Sequence, residues 1–467
     1  MENSHSQLEF QGLGTRQVVC SFSAPAVTSD AGALLLREVE HNRRIIERFA
    51  GTFRDHRDPE RIEHTVEQLL GQRIYGLCLG YEDLNDHDAL RCDPLLATLV
   101  GKRDPTGETR RRPRDQGRAL CGKSTLNRLE LTPADASPKA RYKKVVYDSA
   151  HIDRLFVELF LEAHTEPPKE IWLDVDATDD PVHGQQEERF FHGYYGHYCY
   201  LPLYIFCGEH LLCARLRPSS RDGAAGTSAE LSRIAAQIRA RWPEVRIVLR
   251  GDSGFCRDEI MAFCEDNQID YVLGLARNKR LERAIASQME HARRKHLQTT
   301  QAARCFRSFL YRTRNTWSRP RRVIGKAEYL AKGPNHRFIV TSLRAEPYDS
   351  RTVYEALYCA RGEMENRIKE QQLGLFADRT STATMRGNQL RLYLSSFAYV
   401  LMSELRRIGL ARTEMARAQV STIRTSLLKI GALVKVTVRR VFVEMSAAFP
   451  KAQLFATVLA HLRPAPA

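Results

Sequence analysis

Acidic residues at the ends of apolar segments are the first candidates for chemistry in this chain. Asp174 and Asp176 end one apolar segment, Asp252 directly follows another, and Glu365 lies in a stretch of helical character. Carboxylates that converge from different elements can hold two Mg²⁺ ions about 3.5–4 Å apart, as two-metal phosphoryl transfer requires. A lone Asp at a strand end is, alternatively, a turn or helix cap. These residues therefore indicate chemistry only if one fold brings them together.

The surrounding elements predict such a fold. The first three strands can form an antiparallel meander, whereas the later two need helical crossovers and so run parallel. This is the order of a ribonuclease-H-like core, with Asp176 and Asp252 at the ends of its first and fourth strands. A capping box formed by Thr227 and Glu230 is expected to start the first crossover helix. Apolar runs predict strands at 171–176, 198–206, 211–216, 245–249 and 271–275, and helices near 227–238 and 257–267.

The last helix of that core comes after an interruption. Residues 276–350 hold a basic helical part followed by strand-like runs, and the helical pattern then resumes. On the resumed helix Tyr358, Arg361, Glu365 and Lys369 share one stripe, at steps of three, four and four residues. Such a stripe also fits a solvated, salt-bridged helix face. As the missing core helix, it would bring Glu365 to the two aspartates.

The charge of the chain indicates an acidic partner. Lys and Arg number 71 and Asp and Glu 56, which gives a net charge of +15 and favours nucleic acid over a membrane surface. A basic solvated surface is the alternative. Segment 304–326 holds eight Arg or Lys, no acids and several aromatic residues. Such a segment can neutralise phosphates and stack on unpaired bases, or form a basic β-ribbon whose aromatic side chains face its own core.

These patterns predict an α/β protein with a ribonuclease-H-like core, interrupted by a β-rich insertion and flanked by helical regions. The charged stretch 101–118 reads as a loop or disordered linker. The N-terminal region would bind DNA, dimerise or serve as a helical scaffold. The expected regions are a helical N-terminal region (1–160), the first part of the core (161–275), a basic β-rich insertion (276–350), the final core helix (351–385) and a mainly helical C-terminal region (386–467).

The sequence also predicts a cytoplasmic location. The N-terminus lacks the basic and apolar regions of a signal peptide, and no stretch approaches the ~18 apolar residues of a membrane span. Eleven scattered cysteines without metal-ligand spacing are typical of free thiols in a reducing compartment.

The motifs resemble those of the DDE transposases of bacterial insertion sequences, in the branch with a β-rich insertion between the second Asp and the Glu. That branch has the signature Y-x2-R-x3-E-x6-K, and Tyr358, Arg361 and Glu365 match it at the correct spacing. The Lys position departs, because it is Gln372 here. Lys369, one turn after Glu365, is the candidate substitute.

Further runs resemble the insertion-sequence family numbered thirteen-eighty, so that the resemblance extends from about Asp30 to about Phe449. These runs are 82–87, 176–186, 193–195 and 363–370. The resemblance implies that Asp176, Asp252 and Glu365 are catalytic ligands of two Mg²⁺ ions, with Mn²⁺ as a substitute. Asp174 is the fallback for the first ligand.

The resemblance also implies a reaction and its partners. The protein would bind double-stranded DNA at terminal inverted repeats, cleave there and join the ends to target DNA, as a homodimer on DNA in the bacterial nucleoid. Trp317 would support a flipped base. The other expected DNA contacts are Tyr358, Arg361, Lys369, Arg319, Arg321 and Arg322. Local salt bridges are the alternative role of Arg361 and Lys369. A catalytically idle DNA-binding regulator and a hydrolytic nuclease of the same fold are the alternative functions.

Overall fold

The structure is a computed structural model that describes residues 7–463. The first residues of the chain, on which the absence of a signal peptide was inferred, lie outside the described residues. Within the described part no helix is long and apolar enough to cross a membrane.

The secondary structure is mixed throughout. The strands are β1 (Leu8–Leu13), β2 (Arg16–Cys20), β3 (Val27–Thr28), β4 (Phe53–Asp55), β5 (Val145–Tyr147), β6 (Glu170–Ala177), β7 (Asp180–Pro181), β8 (Phe190–His192), β9 (His197–Tyr200), β10 (Leu203–Cys207), β11 (His210–Arg215), β12 (Arg246–Gly251), β13 (Ile269–Leu275), β14 (Ala303–Tyr311), β15 (Arg321–Leu330), β16 (Gly333–Thr341), β17 (Ala432–Val436) and β18 (Val441–Met445).

The α-helices are α1 (Leu34–Arg43), α2 (Ile45–Ala50), α3 (Val66–Leu79), α4 (His87–Leu90), α5 (Pro94–Leu99), α6 (Lys123–Glu130), α7 (Ser149–Glu162), α8 (Thr227–Arg241), α9 (Asp258–Asp266), α10 (Lys279–Ala284), α11 (Ala286–Thr299), α12 (Ser350–Thr352), α13 (Gly362–Lys369), α14 (Met385–Glu404), α15 (Val420–Ile423) and α16 (Ala452–Leu462). Short 3-10 turns lie at Ala31–Ala33, Pro59–Arg61, Pro113–Asp115, Ser253–Phe255 and Cys359–Arg361, and π-helical segments at Val353–Tyr358, Glu370–Gly374, Leu405–Gly409 and Arg424–Leu428.

The chain forms two compact units, and their boundaries differ from the predicted regions. One unit runs to Val146 and resumes at Phe397, and the other is Tyr147–Ser396. The predicted boundary near residue 160 is displaced because α7 buries Val157 and Phe160 in the core of the second unit. The N-terminal and C-terminal regions, expected to be separate, pack together in the first unit. The N-terminal region is also less helical than expected, since β1 and β2 form an exposed hairpin.

The second unit is built on a mixed sheet with the strand order β11-β10-β6-β12-β13-β16-β15-β14. Strands β6, β10 and β11 are antiparallel neighbours, whereas β12 runs parallel to β6 and β13 parallel to β12. The predicted order of three strands, helix, strand, helix, strand is therefore present, and the α/β class is confirmed. Apolar side chains of α7, α8 and α9 cover this sheet, including Ile234, Ile238 and Met261.

Two local predictions for this unit are wrong. The expected strand 198–206 is split, because β9 pairs with β7 and β8 in a small separate sheet while β10 joins the large one. The expected capping box does not form either. Helix α8 begins after Gly226, whose φ of 80° is readily adopted by glycine, and no side chain caps it. Glu230 instead forms ion pairs with Arg215 and Arg233.

The segment predicted as a β-rich insertion extends the same sheet. Strand β16 pairs antiparallel with β13, and β15 and β14 follow outward. The side chains of Leu281, Val323 and Phe338 are part of the buried core that also includes β6 and β12. The strand-like runs of this segment, predicted at 304–313, 321–330 and 336–343, are present to within a few residues, and α10 and α11 account for its basic helical part.

Candidate active site

Strand register places Asp176 and Asp252 beside each other. In the parallel pair of β6 and β12, Asp174 lies opposite Arg250 and Val175 opposite Gly251. The next residues along the two strands are Asp176 and Asp252. Because side chains alternate along a strand, these two aspartates lie on the same face as Asp174 and Arg250.

Asp252 is fixed by the turn that follows β12. Its side chain accepts a hydrogen bond from the backbone N–H of Gly254 at 2.8 Å and caps the 3-10 turn Ser253–Phe255. Asp252 therefore does cap a turn, which was the alternative interpretation of this residue. One carboxylate oxygen is used in the cap, and the turn holds the side chain at the end of the strand.

Glu365 reaches the same edge from an irregular helical segment. Helix α13 carries Glu365 and is flanked by 3-10 and π-helical turns, so the segment does not keep the uniform period assumed from sequence. Interruptions of this kind occur frequently at functional sites. The predicted neighbours Arg361 and Glu365 do meet, at 2.5 Å between the guanidinium and the carboxylate.

Arg361 joins two of the three candidate carboxylates. Its Nη1 lies 3.1 Å from Oδ2 of Asp176, and its Nη2 lies 2.5 Å from Oε1 of Glu365. One guanidinium therefore bridges the first strand and the final helix. The salt-bridge role weighed for Arg361 is the one that the structure contains.

The electrostatics of Asp176 reflect the proximity of the other two acids. Burial raises the pKa of Asp176 to about 6, Arg361 opposes that rise, and the charges of Asp252 and Glu365 add to it. Three carboxylates lie near one another at this edge, and Arg361 is the guanidinium that pairs with Asp176 and Glu365. A site of this charge favours an additional cation.

Asp174 has a different environment from Asp176. It is almost fully buried, and both of its oxygens accept hydrogen bonds from Arg250, at 2.5 and 2.8 Å. Arg250 also donates to the carbonyl of Leu357, just before the helix that carries Glu365. Asp174 thus has a bidentate partner of its own, which favours Asp176 as the first ligand of the triad.

The donor set suits a hard divalent ion, although the side chains are not arranged as a finished metal site. Asp176, Asp252 and Glu365 offer carboxylate oxygens, the ligands that Mg²⁺ and Mn²⁺ prefer. Among residues 7–463, however, no group of three His, Cys, Asp or Glu is positioned to hold a metal ion. Asp176 and Glu365 instead pair with Arg361.

A cavity of about 460 Å³ opens beside Asp252, lined by Ser253, Gly274, Tyr354 and Tyr358 and by basic residues. Glycine is required at Gly274, because a Cβ there would lie 2.8 Å from the backbone nitrogen of Ser253, as well as 2.7 Å from the Tyr358 hydroxyl. The basic lining comes from Arg277, His336 and Arg337, which sequence reasoning did not single out. The signal that could have found them is the position of Arg277 just after β13, at the edge where Asp252 lies.

Two residues predicted to contact DNA are buried. Trp317 is only 5% exposed and packs edge-on against Tyr311. Arg321 is equally buried and is held by ion pairs with Asp258 and Glu265. A base could stack on Trp317 only if the indole left the core, so its position argues against the predicted role. The ion pairs of Arg321 hold its side chain within the second unit.

The remaining predicted contacts differ in accessibility. Arg319 is half-exposed beside Glu265, and Arg322 is bound to three backbone carbonyls that follow β16. Lys369 is exposed on α13 and has no ion pair among the described residues. Of the predicted cations near the triad, Lys369 is therefore the one most accessible to a phosphate.

Gln372, at the Lys position of the signature, points inward. Its amide donates to Oδ1 of Asp180 at 2.9 Å and to the carbonyl of Asp179 at 3.2 Å. Asp180 is fully buried, its other oxygen has no partner among the described residues, and burial raises its pKa well above the ordinary range.

We expect Gln372→Leu to destabilise the second unit by about 1–3 kcal/mol, because Asp180 loses its side-chain donor. Gln372→Lys should retain stability, since an ammonium can donate to the same carboxyl. The measurement is urea unfolding followed by Trp fluorescence, to which Trp172, Trp242 and Trp317 of this unit contribute. Gln298→Leu, at an exposed position of α11, is the control and should change stability by less than about 0.5 kcal/mol. Equal stability of Gln372→Leu and wild type would contradict the inward role.

The fold and the site together define an α/β protein whose acidic residues meet at one sheet edge, a class that includes enzymes acting on phosphodiesters. Residues 10–467 match the model of the family described as transposase DDE domain group 1. The chain therefore belongs to this family of DDE transposases, and its substrate is DNA. A search of curated proteins finds no match to the chain.

Proposed function

We propose that the protein is the transposase of a bacterial insertion sequence of the thirteen-eighty type. It binds the terminal inverted repeats of its element and cleaves the DNA strand at each end. The resulting 3′-hydroxyl attacks a phosphodiester of target DNA, which joins the two strands and releases a 3′-hydroxyl of the target. The observation that carries this proposal is the meeting of Asp176, Asp252 and Glu365 at one sheet edge, with Arg361 between two of them. The strand order β11-β10-β6-β12-β13 supports a ribonuclease-H-like core.

The proposed metal ligands are Asp176, Asp252 and Glu365, which would hold two Mg²⁺ ions. Bound divalent metal supplies activation of the attacking oxygen and stabilisation of the leaving oxygen. Asp252 is pre-positioned by its cap to Gly254, and Glu365 by the helix that Arg250 ties to β6. Arg361 offsets part of the negative charge of Asp176 and Glu365.

Substrate binding follows from the basic side chains around the triad. Arg277 and Arg337 line the cavity beside Asp252, both are exposed, and neither has an ion pair among the described residues. These two arginines and Lys369 would hold phosphates on either side of the scissile bond, since backbone contacts position a nucleic acid without reading its sequence. The reaction pairs two ends of the element, so the protein would act as a homodimer on DNA. Its location would be the bacterial nucleoid.

The test begins with the DNA that flanks the reading frame. Inverted repeats near both ends, bounded by short direct duplications, identify the substrate. The purified protein with Mg²⁺ should then cut a plasmid at those repeats and join the free ends to a second plasmid. Absence of such repeats at every genomic copy would refute the proposal.

The same assay separates the alternative functions. A DNA-binding regulator would retard the repeats in a gel and never cut them, with or without Mg²⁺. A hydrolytic nuclease would cut but leave no joined product. Detection of joined ends excludes both.

A further inference from the structure

The first unit contains a strongly basic groove that lies outside the carboxylate site. Two adjoining cavities of about 590 and 330 Å³ share Arg112 and Arg128 in their walls. Ten arginine or lysine side chains line the two cavities, against the acids Glu63, Asp88 and Asp115. We call this feature the arginine groove. Its principal residues are Arg57, Arg111, Arg112, Arg114, Arg118 and Arg128.

The acidic side chains near the groove do not neutralise it. Asp55 pairs with Arg57 at 2.7 Å, and Glu63 pairs with Arg110 at 2.8 Å. Four further cations, in the loop that follows α5, have no ion pair among the residues that the structure describes. These are Arg111, Arg112, Arg114 and Arg118. The surplus positive charge of the groove is therefore concentrated on one loop.

That loop is built, although its composition reads as a linker. The carboxylate of Asp104 accepts hydrogen bonds from the backbone N–H groups of Thr106, Gly107 and Thr109, at 2.7–3.1 Å. Arg110 donates to the carbonyls of Arg118 and Leu120 and closes the loop. The structure thus holds several like charges at fixed positions, at a cost in repulsion that a bound polyanion would offset.

Burial and the nearby positive charges both lower the pKa of two groups beside the groove. Burial, together with the charges of Lys102, Arg110 and Arg57, lowers the pKa of His64 to about 2. Burial also lowers the pKa of Lys102 to about 8, with Arg110 contributing.

The lining favours phosphates over bases. Among the residues described around the groove, Tyr142 is the one Phe, Tyr or Trp side chain. Its ring already has the guanidinium groups of Arg128 and Arg141 over it, at 4.7 and 4.9 Å. An unpaired base would have to displace them in order to stack. Several exposed guanidinium groups on one loop, by contrast, suit the phosphates of a duplex.

We propose that the arginine groove binds the sugar-phosphate backbone of double-stranded DNA and contributes affinity without reading sequence. The choice of DNA as the polyanion rests on the proposed function. The binding itself does not depend on the carboxylate site. The groove therefore holds a duplex of any sequence, and sequence-specific contacts come from elsewhere on the protein.

The test compares two triple variants of equal charge. One is Arg111→Ala/Arg112→Ala/Arg114→Ala in the groove. The control is Lys435→Ala/Arg439→Ala/Arg440→Ala in and after β17, where the side chains are also exposed and lie in the same unit. Affinity for a fluorescent duplex of random sequence is measured by anisotropy at several salt concentrations, with EDTA present so that no cleavage occurs.

We expect the groove variant to bind at least about tenfold more weakly at 0.1 M salt. The slope of log K against log salt should shrink by about 0.9 for each lost phosphate contact, hence by about 2–3 for the triple variant. The control variant should have the wild-type affinity and the wild-type salt slope. A duplex carrying the terminal repeats should lose the same factor as the random duplex, because the lost contacts are to the backbone.

A charge-retaining variant and the comparison of the two duplexes provide further tests of the groove. Replacement of the same three residues by Lys retains the charges, so it should retain most of the salt slope if the loop still folds. Equal slopes for the groove variant, the control and wild type would overturn the proposal. A loss confined to the repeat duplex would also overturn it, since that result means base reading. Failure of the protein to cut DNA would refute the proposed function and leave these binding results unaffected.

Discussion

Asp252→Asn is expected to abolish strand cleavage while DNA binding persists. The substitution keeps the size of the side chain and an oxygen that can still accept from Gly254, so the turn after β12 should form as before. It removes one negative charge from the group that Asp252 forms with Asp176 and Glu365. A ligand of a catalytic metal contributes several kcal/mol to the transition state, so cleavage should fall by roughly 10²–10³-fold or more.

The measurement is a cleavage time course on labelled repeat ends with Mg²⁺, next to an anisotropy titration of the same duplex without metal. Asp266→Asn, at the exposed end of α9, removes the same charge from the same unit and should cut at the wild-type rate. If Asp252→Asn cut DNA at the wild-type rate, Asp252 would not be a catalytic ligand and the assignment of the triad would be wrong. Loss of binding together with cutting would indicate that Asp252 has a structural role.

The sequence was sufficient to predict the strand-end aspartates, because their position depends on short-range patterns. Apolar runs predict β6 and β12, and parallel pairing of these strands brings their carboxyl ends together. The approach of Glu365 was predictable from the stripe with Arg361. The exact contacts of Glu365 were not predictable, since π-helical turns at Val353–Tyr358 and Glu370–Gly374 change the helical period on both sides of α13.

Ion pairs between distant residues and hydrogen bonds within a loop explain much of what sequence reasoning missed. The composition of segment 304–326 suggests an exposed basic ribbon, yet Arg321 is buried because Asp258 and Glu265, more than fifty residues earlier, are its partners. The charged stretch 101–118 suggests a linker, but Asp104 and Arg110 satisfy its backbone groups. Which charges are paired depends on the register of distant elements, and a single sequence does not contain that information.

The separate roles of Asp174 and Asp176 lead to the second large expected effect. Asp174→Asn should destabilise the second unit by about 3–5 kcal/mol, because it leaves the guanidinium of Arg250 buried without a counter-charge. Asp176→Asn should leave stability equal or higher, because burial and the charges of Asp252 and Glu365 disfavour the carboxylate more than its pair with Arg361 favours it. The effects on cleavage should be the opposite of those on stability. Asp176→Asn should lose cleavage, whereas the folded fraction of Asp174→Asn should retain a measurable cleavage rate. Stability is followed by Trp fluorescence in urea.

A double variant tests whether Arg250 acts through its charge or through its position. Asp174→Leu/Arg250→Met replaces the buried pair by apolar side chains of similar size, and such replacements are often neutral or stabilising. We therefore expect it to recover most of the stability that Asp174→Asn loses. It should nevertheless cut more slowly than wild type, because the carbonyl of Leu357 loses its donor and the helix that carries Glu365 is less firmly held to β6. Wild-type cutting by the double variant would show that the pair only stabilises the fold. A cleavage defect in a fully stable double variant would make Arg250 a positioning residue for Glu365, the role expected from its contacts with both β6 and the final helix.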